Sequence, residues 1–226
     1  NSELILCYQI IQSHASKLVK ALKMLENDYP HLDQIEERKE YYYSIRADWN
    51  NLPPNVFKIK ISDKIKRVAM TIFLNRTCFN GLFRVNSKGE FNVPVGNYDN
   101  PKITDEDNIS NVARAIKNVE FIHCDYSSIE SYFGKKTFVY FDPPYRPLTT
   151  SSSFTSYSKS GFNDANQREL ALLCNKLDKN KVSFLLSNSD PKNADKNDNF
   201  FDELYSSFTI NRVYANRAIN SKGSGR

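Results

Sequence analysis

Residues 138–145, with the sequence Phe-Val-Tyr-Phe-Asp-Pro-Pro-Tyr, place an acid, two prolines and an aromatic ring directly after a short apolar run. In an open α/β sheet, ligands bind outside the carboxyl ends of strands, so a substrate would meet Asp142, Pro143, Pro144 and Tyr145. The set suits an exocyclic amine of a nucleobase. The Asp142 carboxylate and the Pro143 carbonyl would each accept one N–H bond, which draws the nitrogen toward tetrahedral geometry and localises its lone pair.

Proline strengthens this interpretation, because it fixes φ and has no N–H of its own, so that neighbouring carbonyls are held in place in advance. Tyr145 can stack on a base that has left its duplex. The plainer alternative is that Asp-Pro-Pro only makes a turn after the strand.

Positive charge is unevenly distributed along the chain. The net charge is +5, and residues 57–88 hold eight Lys or Arg but one acid, Asp63. Residues 211–226 hold four basic residues and no acid. Segregated positive charge favours a polyanion such as nucleic acid, although a solvated basic face would give the same pattern.

Composition excludes several classes. No apolar run approaches the roughly 18 residues of a membrane span, and mean hydropathy is -0.58. The four cysteines are scattered, without a CxxC pair, and there are three histidines. We therefore predict reduced, mostly buried cysteines, no metal site, no membrane association and a cytoplasmic location.

Apolar periodicity predicts the elements that position these residues. A helix over 2–25 would bury Leu4, Tyr8, Ile11, Leu18, Leu22 and Leu25. Further helices are predicted over 33–48, after a cap at Ser62, near Thr104 and near Asp202. The helix predicted over 164–177 would place Leu170, Leu173, Cys174 and Leu177 on one buried face. Residues 77–101 are typical of a hairpin-bearing loop region. Apolar runs at 119–123, 137–141, 182–186 and 208–214 predict buried strands, and their alternation with helices favours a parallel α/β sheet.

The chain resembles the Dam-type, D12-class DNA adenine-N6 methyltransferases. The resemblance rests on Asp-Pro-Pro-Tyr at 142–145 and, more specifically, on Asn-Gly-Leu-Phe-Arg-Val-Asn at 80–86 followed by Gly-Glu-Phe-Asn-Val-Pro-Val-Gly-Asn-Tyr at 89–98. Weaker matches are His-Cys-Asp-Tyr at 123–126, Phe-Thr-Ser-Tyr at 154–157 and Leu-Ser-Asn-Ser at 186–189.

This resemblance implies a Rossmann-like sheet of the S-adenosylmethionine-dependent methyltransferases with an inserted, mainly helical target-recognition domain that carries a β-hairpin. Residues 1–30 and 104–226 would form the catalytic domain, and residues 31–103 the recognition domain. S-adenosylmethionine would be the cofactor and double-stranded DNA the partner, with a cognate restriction endonuclease in the same system and no obligate protein partner. The site would be GATC.

The resemblance also assigns roles to single residues. Asp142, Pro143, Pro144 and Tyr145 would hold the extruded adenine, and Asp125 and Tyr126, together with Asp142, would contact the cofactor. Arg84 would read a guanine, the commonest specific contact of an arginine. Leu82 and Pro94 would touch the thymine methyl group, with Tyr98 beside them. The other DNA contacts would come from Phe79, Asn80, Asn86, Asn97 and Arg217; Asn97 stands where relatives often carry a basic residue.

Each role has a duller alternative. Arg84 could contact a phosphate or be a surface charge, Asp125 could cap the segment that follows it, and Ser187 and Asn188 could only shape a strand end. Leu82, Phe79 and Pro94 could be local packing.

No glycine precedes Gly81, although the family opens with a glycine-rich cofactor turn, so we expect the 226 residues to be part of a longer chain. The rival function is a DNA-binding remnant without catalysis.

Overall fold

The structure is a computed structural model that describes residues 1–31, 34–53, 55–134, 136–146 and 162–214. Arg217 and the 154–157 motif lie outside these residues. The chain forms two compact units, Asn1–Cys124 and Asp125–Arg226. The assignment of residues 1–30 and 104–226 to one catalytic domain, with 31–103 inserted, stays a prediction.

The first unit is helical: α1 (Ser2–Asn27), α2 (Ile35–Asn51), α3 (Ile61–Thr77) and α4 (Glu106–Ala115). Helix α1 lies against α3 and α4, and α2 packs on α3. The predicted buried face of α1 was partly wrong, because Leu4 is 55% exposed and the buried side chains are Leu6, Ile10, Leu18, Val19 and Leu22. Helix α1 is kinked at His14, where φ is -139°, so one continuous apolar stripe does not describe both of its halves.

One of the basic residues of 57–88 belongs to the core rather than to a charged surface. Arg67 is 3% exposed, and its guanidinium donates to both carboxylate oxygens of Glu3, with Nη2 2.7 Å from Oε1. The guanidinium also lies 4.1 Å from the centre of the Trp49 ring. This buried pair joins the start of α1 to α3.

The region between α3 and α4 is a hairpin, as predicted. Antiparallel bridges join Val85 to Phe91 and Cys78 to Val95. The turn is built on Asn86, whose Oδ1 accepts from the N–H groups of Lys88 and Glu90. The Asn86 side chain is thus committed to the turn.

The second unit is built around one strand–helix–strand motif. Strands β1 (Phe138–Phe141) and β2 (Ser183–Leu186) pair in parallel, with Phe138 opposite Ser183 and Phe141 opposite Leu186. Between them runs α5 (Asp164–Lys179), which the Asn163 side chain caps, and α6 (Phe200–Leu204) follows. Helix α5 buries Leu170, Leu173, Cys174 and Leu177, the face that the spacing predicted.

Three local predictions were wrong. Residues 119–123 and 208–214 are not strands. The first of these segments instead lies on α1, where the Gln12 side chain donates to the carbonyls of Ile116 and Val119 and Phe121 stacks on Tyr8 with ring centres 5.3 Å apart. Ser62 does not cap α3, because it already lies within the first helical turn, which begins at Ile61.

Three of the four cysteines are buried or half-buried, and Cys124 is exposed. Burial raises the pKa of Cys7 and of Cys174 to about 12, and the full or partial burial of three cysteines agrees with the prediction that most of them are core residues. Among the described residues, no helix combines the length and apolarity that crossing a bilayer demands.

Candidate active site and nucleic-acid interface

Asp142 directly follows β1, and its exposed side chain points toward solvent. The Ser187 hydroxyl, which follows β2, donates to Asp142 Oδ1 at 3.0 Å. No described residue bonds to Asp142 Oδ2 or donates to the Pro143 carbonyl. The two acceptors that the chemistry needs are therefore present in one short loop, and among the described residues neither is occupied by a donor.

The loop after Asp142 is fastened through its backbone. The Gln167 side chain donates to the Pro144 carbonyl at 3.2 Å, and the Arg146 N–H donates to Asn188 Oδ1 at 3.1 Å. The Ser189 hydroxyl donates to the Arg146 carbonyl at 2.7 Å. Asp142 and Tyr145 thus lie on a loop whose main chain is fixed by α5 and by the residues after β2.

Arg146 adds a charged anchor. Its guanidinium donates to both Asp164 oxygens, at 2.8 and 3.1 Å, and to Asp198 Oδ2, and it lies 4.4 Å from the centre of the Phe200 ring. The Arg146 side chain holds the pKa of Asp198 below its usual range. Paired in this way, Arg146 ties the end of the loop to the start of α5 and to the segment before α6.

Asp125 and Tyr126 lie in the same unit. Asp125 caps the 3-10 turn Tyr126–Tyr132, and its Oδ1 accepts from the N–H and the hydroxyl of Ser127. These bonds lower the pKa of Asp125, and Oδ2 has no partner among the described residues. The N-cap alternative is thus correct, and it leaves one carboxylate oxygen for a ligand.

Helix α5 brings the two sets of candidate residues to its first turns. The Tyr126 hydroxyl lies 3.5 Å from the Asn166 carbonyl, and the next residue, Gln167, holds the loop at Pro144. Burial, followed by the nearby Glu169 carboxylate, raises the pKa of Tyr126, so its hydroxyl remains a neutral donor. Both predicted sites therefore flank the N-terminal end of one helix.

In the first unit, α2 holds the hairpin with a stripe of four side chains that the sequence analysis did not single out. The Tyr42 hydroxyl and Arg46 donate to the Val93 carbonyl, and Asn50 bonds both the N–H and the carbonyl of Phe91. Arg38 donates to the carbonyls of Tyr98 and Asp99. The spacing of four residues was the available signal, because it places donors along one helix face.

The hairpin side chains predicted to contact DNA are largely available at the surface. Arg84 is exposed, its Nε donates to Asn92 Oδ1 at 2.8 Å, and its Nη2 lies 3.4 Å from the Asn92 carbonyl. Asn92 thereby orients the guanidinium across the hairpin. Phe79 is 52% exposed. The other exposed members are Asn80, Leu82, Pro94, Asn97 and Tyr98, whereas Asn86 is half-buried in its turn.

The residues before the hairpin are held in an unusual conformation. Asn80 and Gly81 have φ of 54° and 61°, in the left-handed region, and the Asn75 side chain donates to the Gly81 carbonyl. A Cβ on Gly96 would lie 2.7 Å from the Cys78 carbonyl oxygen, so only glycine fits there. This close approach projects Phe79 and Asn80 from the end of α3.

The second unit combines parallel strands with helices, and in α/β folds ligands bind at the carboxyl ends of such strands. The family model of the D12 class N6 adenine-specific DNA methyltransferases matches residues 1–219. The chain belongs to this family, and it is therefore an adenine-specific DNA methyltransferase that uses S-adenosylmethionine.

The names of similar proteins agree with this family assignment. The chain is 46% identical over 226 residues to the type II methyltransferase M.MjaIII of Methanocaldococcus jannaschii, covering all of this chain and 74% of that protein. It is 36% identical over 228 aligned residues to the type II methyltransferase M1.LlaDCHI of Lactococcus lactis subsp. cremoris, covering 73% of that protein. It is 34% identical over 190 residues to a DNA adenine methylase of Vibrio cholerae, covering 84% of this chain and 62% of that protein.

The described residues fit the cofactor. Asp125 offers its Oδ2, which has no partner among the described residues, to the hydroxyl or amino donors of an adenosine, and the half-buried Tyr126 ring offers an aromatic surface beside it.

Three residues that act on the loop, Gln167, Asn188 and Ser187, had little or no weight in the sequence analysis. For Gln167 the available signal was its position in the sequence, because the helical spacing places this polar residue on the same face of α5 as the buried Leu170 and Cys174.

Proposed function

We propose that this enzyme methylates the N6 amino group of an adenine that has been extruded from duplex DNA, and that its site is GATC. The observation that carries the proposal is a pair of acceptors, Asp142 Oδ2 and the Pro143 carbonyl, that have no donor among the described residues and lie on a fixed loop at the end of β1. The recognition segment 80–98, which resembles that of GATC-specific enzymes, supports the site. The relative from Vibrio cholerae is named a DNA adenine methylase, which supports adenine as the target base.

Asp142 acts by accepting a hydrogen bond rather than by taking a proton in advance. An exocyclic adenine amine is a poor nucleophile because its lone pair is delocalised into the ring. Two N–H bonds, one to Asp142 and one to Pro143, favour the tetrahedral nitrogen and localise that lone pair. Preorganised acceptors of this kind stabilise the transition state more strongly in a site from which water is excluded than in water.

When bound, S-adenosylmethionine would supply a methyl group on a positively charged sulfur; transfer of the methyl carbon to the amine nitrogen would break the carbon–sulfur bond and release the neutral thioether. Asp125 and Tyr126 are the residues that we assign to the adenosine part of the cofactor. The amine loses its proton only after it has been methylated, so no strong base is required among the chain's residues. Tyr145, 40% exposed, is available to stack on the adenine ring.

Sequence reading is assigned to the hairpin. Arg84 would donate two bonds to a guanine, Leu82 and Pro94 would contact the thymine methyl group, and Phe79 and Asn80 would enter the duplex at the extruded base. Asn97, Tyr98 and Arg217 would complete the DNA contacts, and Asn86, whose side chain is bonded within the turn, would act by shaping the hairpin. A DNA substrate supports a cytoplasmic location, and the names of the two type II relatives support a cognate restriction endonuclease in the same system.

The experiment is methylation of a GATC duplex by the full-length protein, followed by digestion with a nuclease that GATC methylation blocks. We expect protection of GATC and none of a duplex with the same composition and a permuted site. Protection of neither duplex, with methyl transfer to another sequence, would overturn the assigned site. Binding of DNA without any methyl transfer would support the rival, a non-catalytic remnant.

A further inference from the structure

Two side-chain amides contact the loop on either side of Tyr145. Gln167 Nε2 donates to the Pro144 carbonyl at 3.2 Å, and Asn188 Oδ1 accepts from the Arg146 N–H at 3.1 Å. The amides also bind each other, because Asn188 Nδ2 donates to Gln167 Oε1 at 3.1 Å. A continuous hydrogen-bonded bridge therefore runs from the peptide before Tyr145 to the peptide after it.

The burial of Gln167 shows that this bridge is more than a surface contact. Gln167 is 0% exposed, on the same face of α5 as the buried Leu170 and Cys174. A buried amide is costly unless its donor and acceptor are both satisfied. Gln167 satisfies one through Pro144 and the other through Asn188, so the cost of burying it is offset by bonds to the loop and to the loop's second anchor.

The bridge also decides which carbonyl faces a substrate. It engages the Pro144 carbonyl and leaves the Pro143 carbonyl without a donor among the described residues. Fixing the peptides on both sides of Tyr145 fixes the backbone at that residue and with it the direction of the Cα–Cβ bond from which the ring extends; the contact of the Tyr145 hydroxyl with Ser187 then restricts the ring itself. Without the bridge, the Pro144 carbonyl would be released as a second, wrongly placed acceptor.

We propose that Gln167 and Asn188 are positioning residues that hold Tyr145 and the Pro143 carbonyl in the geometry that receives the extruded adenine. The inference rests on the proposed function. Neither residue touches the base; both act through the main chain of the loop. Small displacements of a reacting pair are enough to matter, since a shift of about 1 Å can reduce a rate by about 100-fold.

The test uses Gln167→Met, which keeps the length of the side chain and buries no charge, and Asn188→Ala, which removes the other half of the bridge. Asn175→Asp is the matched control, because Asn175 lies on the same helix and, among the described residues, no hydrogen bond joins its side chain to the loop. Each protein is assayed in its full-length form. The single-turnover rate, the affinities for DNA and S-adenosylmethionine, and thermal unfolding are measured on each.

A second readout reports on the base itself. The target adenine of a GATC duplex is replaced by 2-aminopurine, whose emission changes when it leaves the stack and meets new neighbours. We expect both bridge variants to lose about 10- to 100-fold in single-turnover rate, to keep both affinities, and to give an emission change that differs from that of the wild-type and control proteins.

A wild-type rate, or a reduced rate with the wild-type emission change, in either folded variant would overturn the positioning role. Unfolding of both bridge variants at the assay temperature would also overturn it, because the pair would then be needed for stability rather than for positioning. A wild-type protein that neither methylates the duplex nor alters the emission of the probe would instead count against the proposed function.

Discussion

The Ser187 hydroxyl donates to Asp142 Oδ1 at 3.0 Å. It also contacts the hydroxyls of two tyrosines, Tyr140 of β1 at 3.1 Å and Tyr145 of the following loop at 3.4 Å. A serine hydroxyl has one proton and two lone pairs. Because its proton goes to Asp142, both tyrosines must donate to Ser187. One hydroxyl after β2 therefore orients two residues that we assign to the adenine.

Replacing Ser187 with alanine should slow methyl transfer without preventing it. A hydrogen bond to a charged carboxylate is worth about 1.5–3 kcal/mol, so we expect the rate to fall about 10- to 150-fold in a single-turnover assay. Ser183→Ala is the control, since Ser183 lies at the other end of β2 and is exposed. Equal rates for the two variants would show that the hydroxyl does not hold Asp142.

Arg84→Ala should relax the preference for the guanine of the site by about 1–3 kcal/mol. Arg84→Lys should not restore the preference, because an ammonium group cannot donate two parallel bonds. The measurement is a comparison of methylation rates on GATC and on duplexes with one guanine replaced. Lys88→Ala, in the hairpin turn, serves as the control and should leave the ratio of rates unaltered; a ratio unaltered in Arg84→Ala would contradict guanine reading.

Glu3→Ala should strongly destabilise the first unit, because it leaves the buried guanidinium of Arg67 unpaired. The cost of breaking such a pair is about 3–5 kcal/mol, which urea unfolding can measure. Lys66→Ala is the comparison: Lys66 pairs with Asp48 at 3.6 Å on the exposed surface, and its loss should cost no more than about 1 kcal/mol. Similar losses in the two variants would show that the buried pair contributes no special stability.

Arg146→Met should lower stability in a manner that depends on pH. Arg146 lowers the pKa of Asp198 in the folded protein, so the pair stabilises the fold above the ordinary aspartate pKa of about 3.9 and ceases to do so as the pH falls below it. The difference in urea midpoint between wild-type and variant should therefore be present at neutral pH and shrink below about pH 4. A difference that stays constant on acidification would rule out this ion pair as its source.

Local signals predicted much of the fold. The apolar runs before Asp142 and Ser187 are the two parallel strands, and the spacing of Leu170, Leu173, Cys174 and Leu177 gave the buried face of α5. The run 119–123 was as apolar as a strand but packs on α1, because Gln12 and Tyr8 offer it contacts. An apolar run alone does not say whether its partner is a strand or a helix.

Part of the candidate site could likewise be predicted from the sequence and part could not. The residue types of Asp142, Pro143 and Tyr145 were enough to predict a chemistry for them, whereas the contact of Gln167 with the loop depends on the packing of α5 beside it. Arg67 was counted with the surface charges, yet it pairs with Glu3, 64 residues away in sequence. Contacts between residues so distant along the chain leave no local pattern to read.

The most direct test of the acceptor pair is the single-turnover rate of Asp142→Ala on a GATC duplex, measured together with DNA affinity. We expect the rate of N6-methyladenine formation to fall by about 100-fold or more, with DNA binding retained, because the carboxylate acts on the adenine amine and not on the recognition of the duplex. Near-normal methyl transfer by Asp142→Ala would contradict the account.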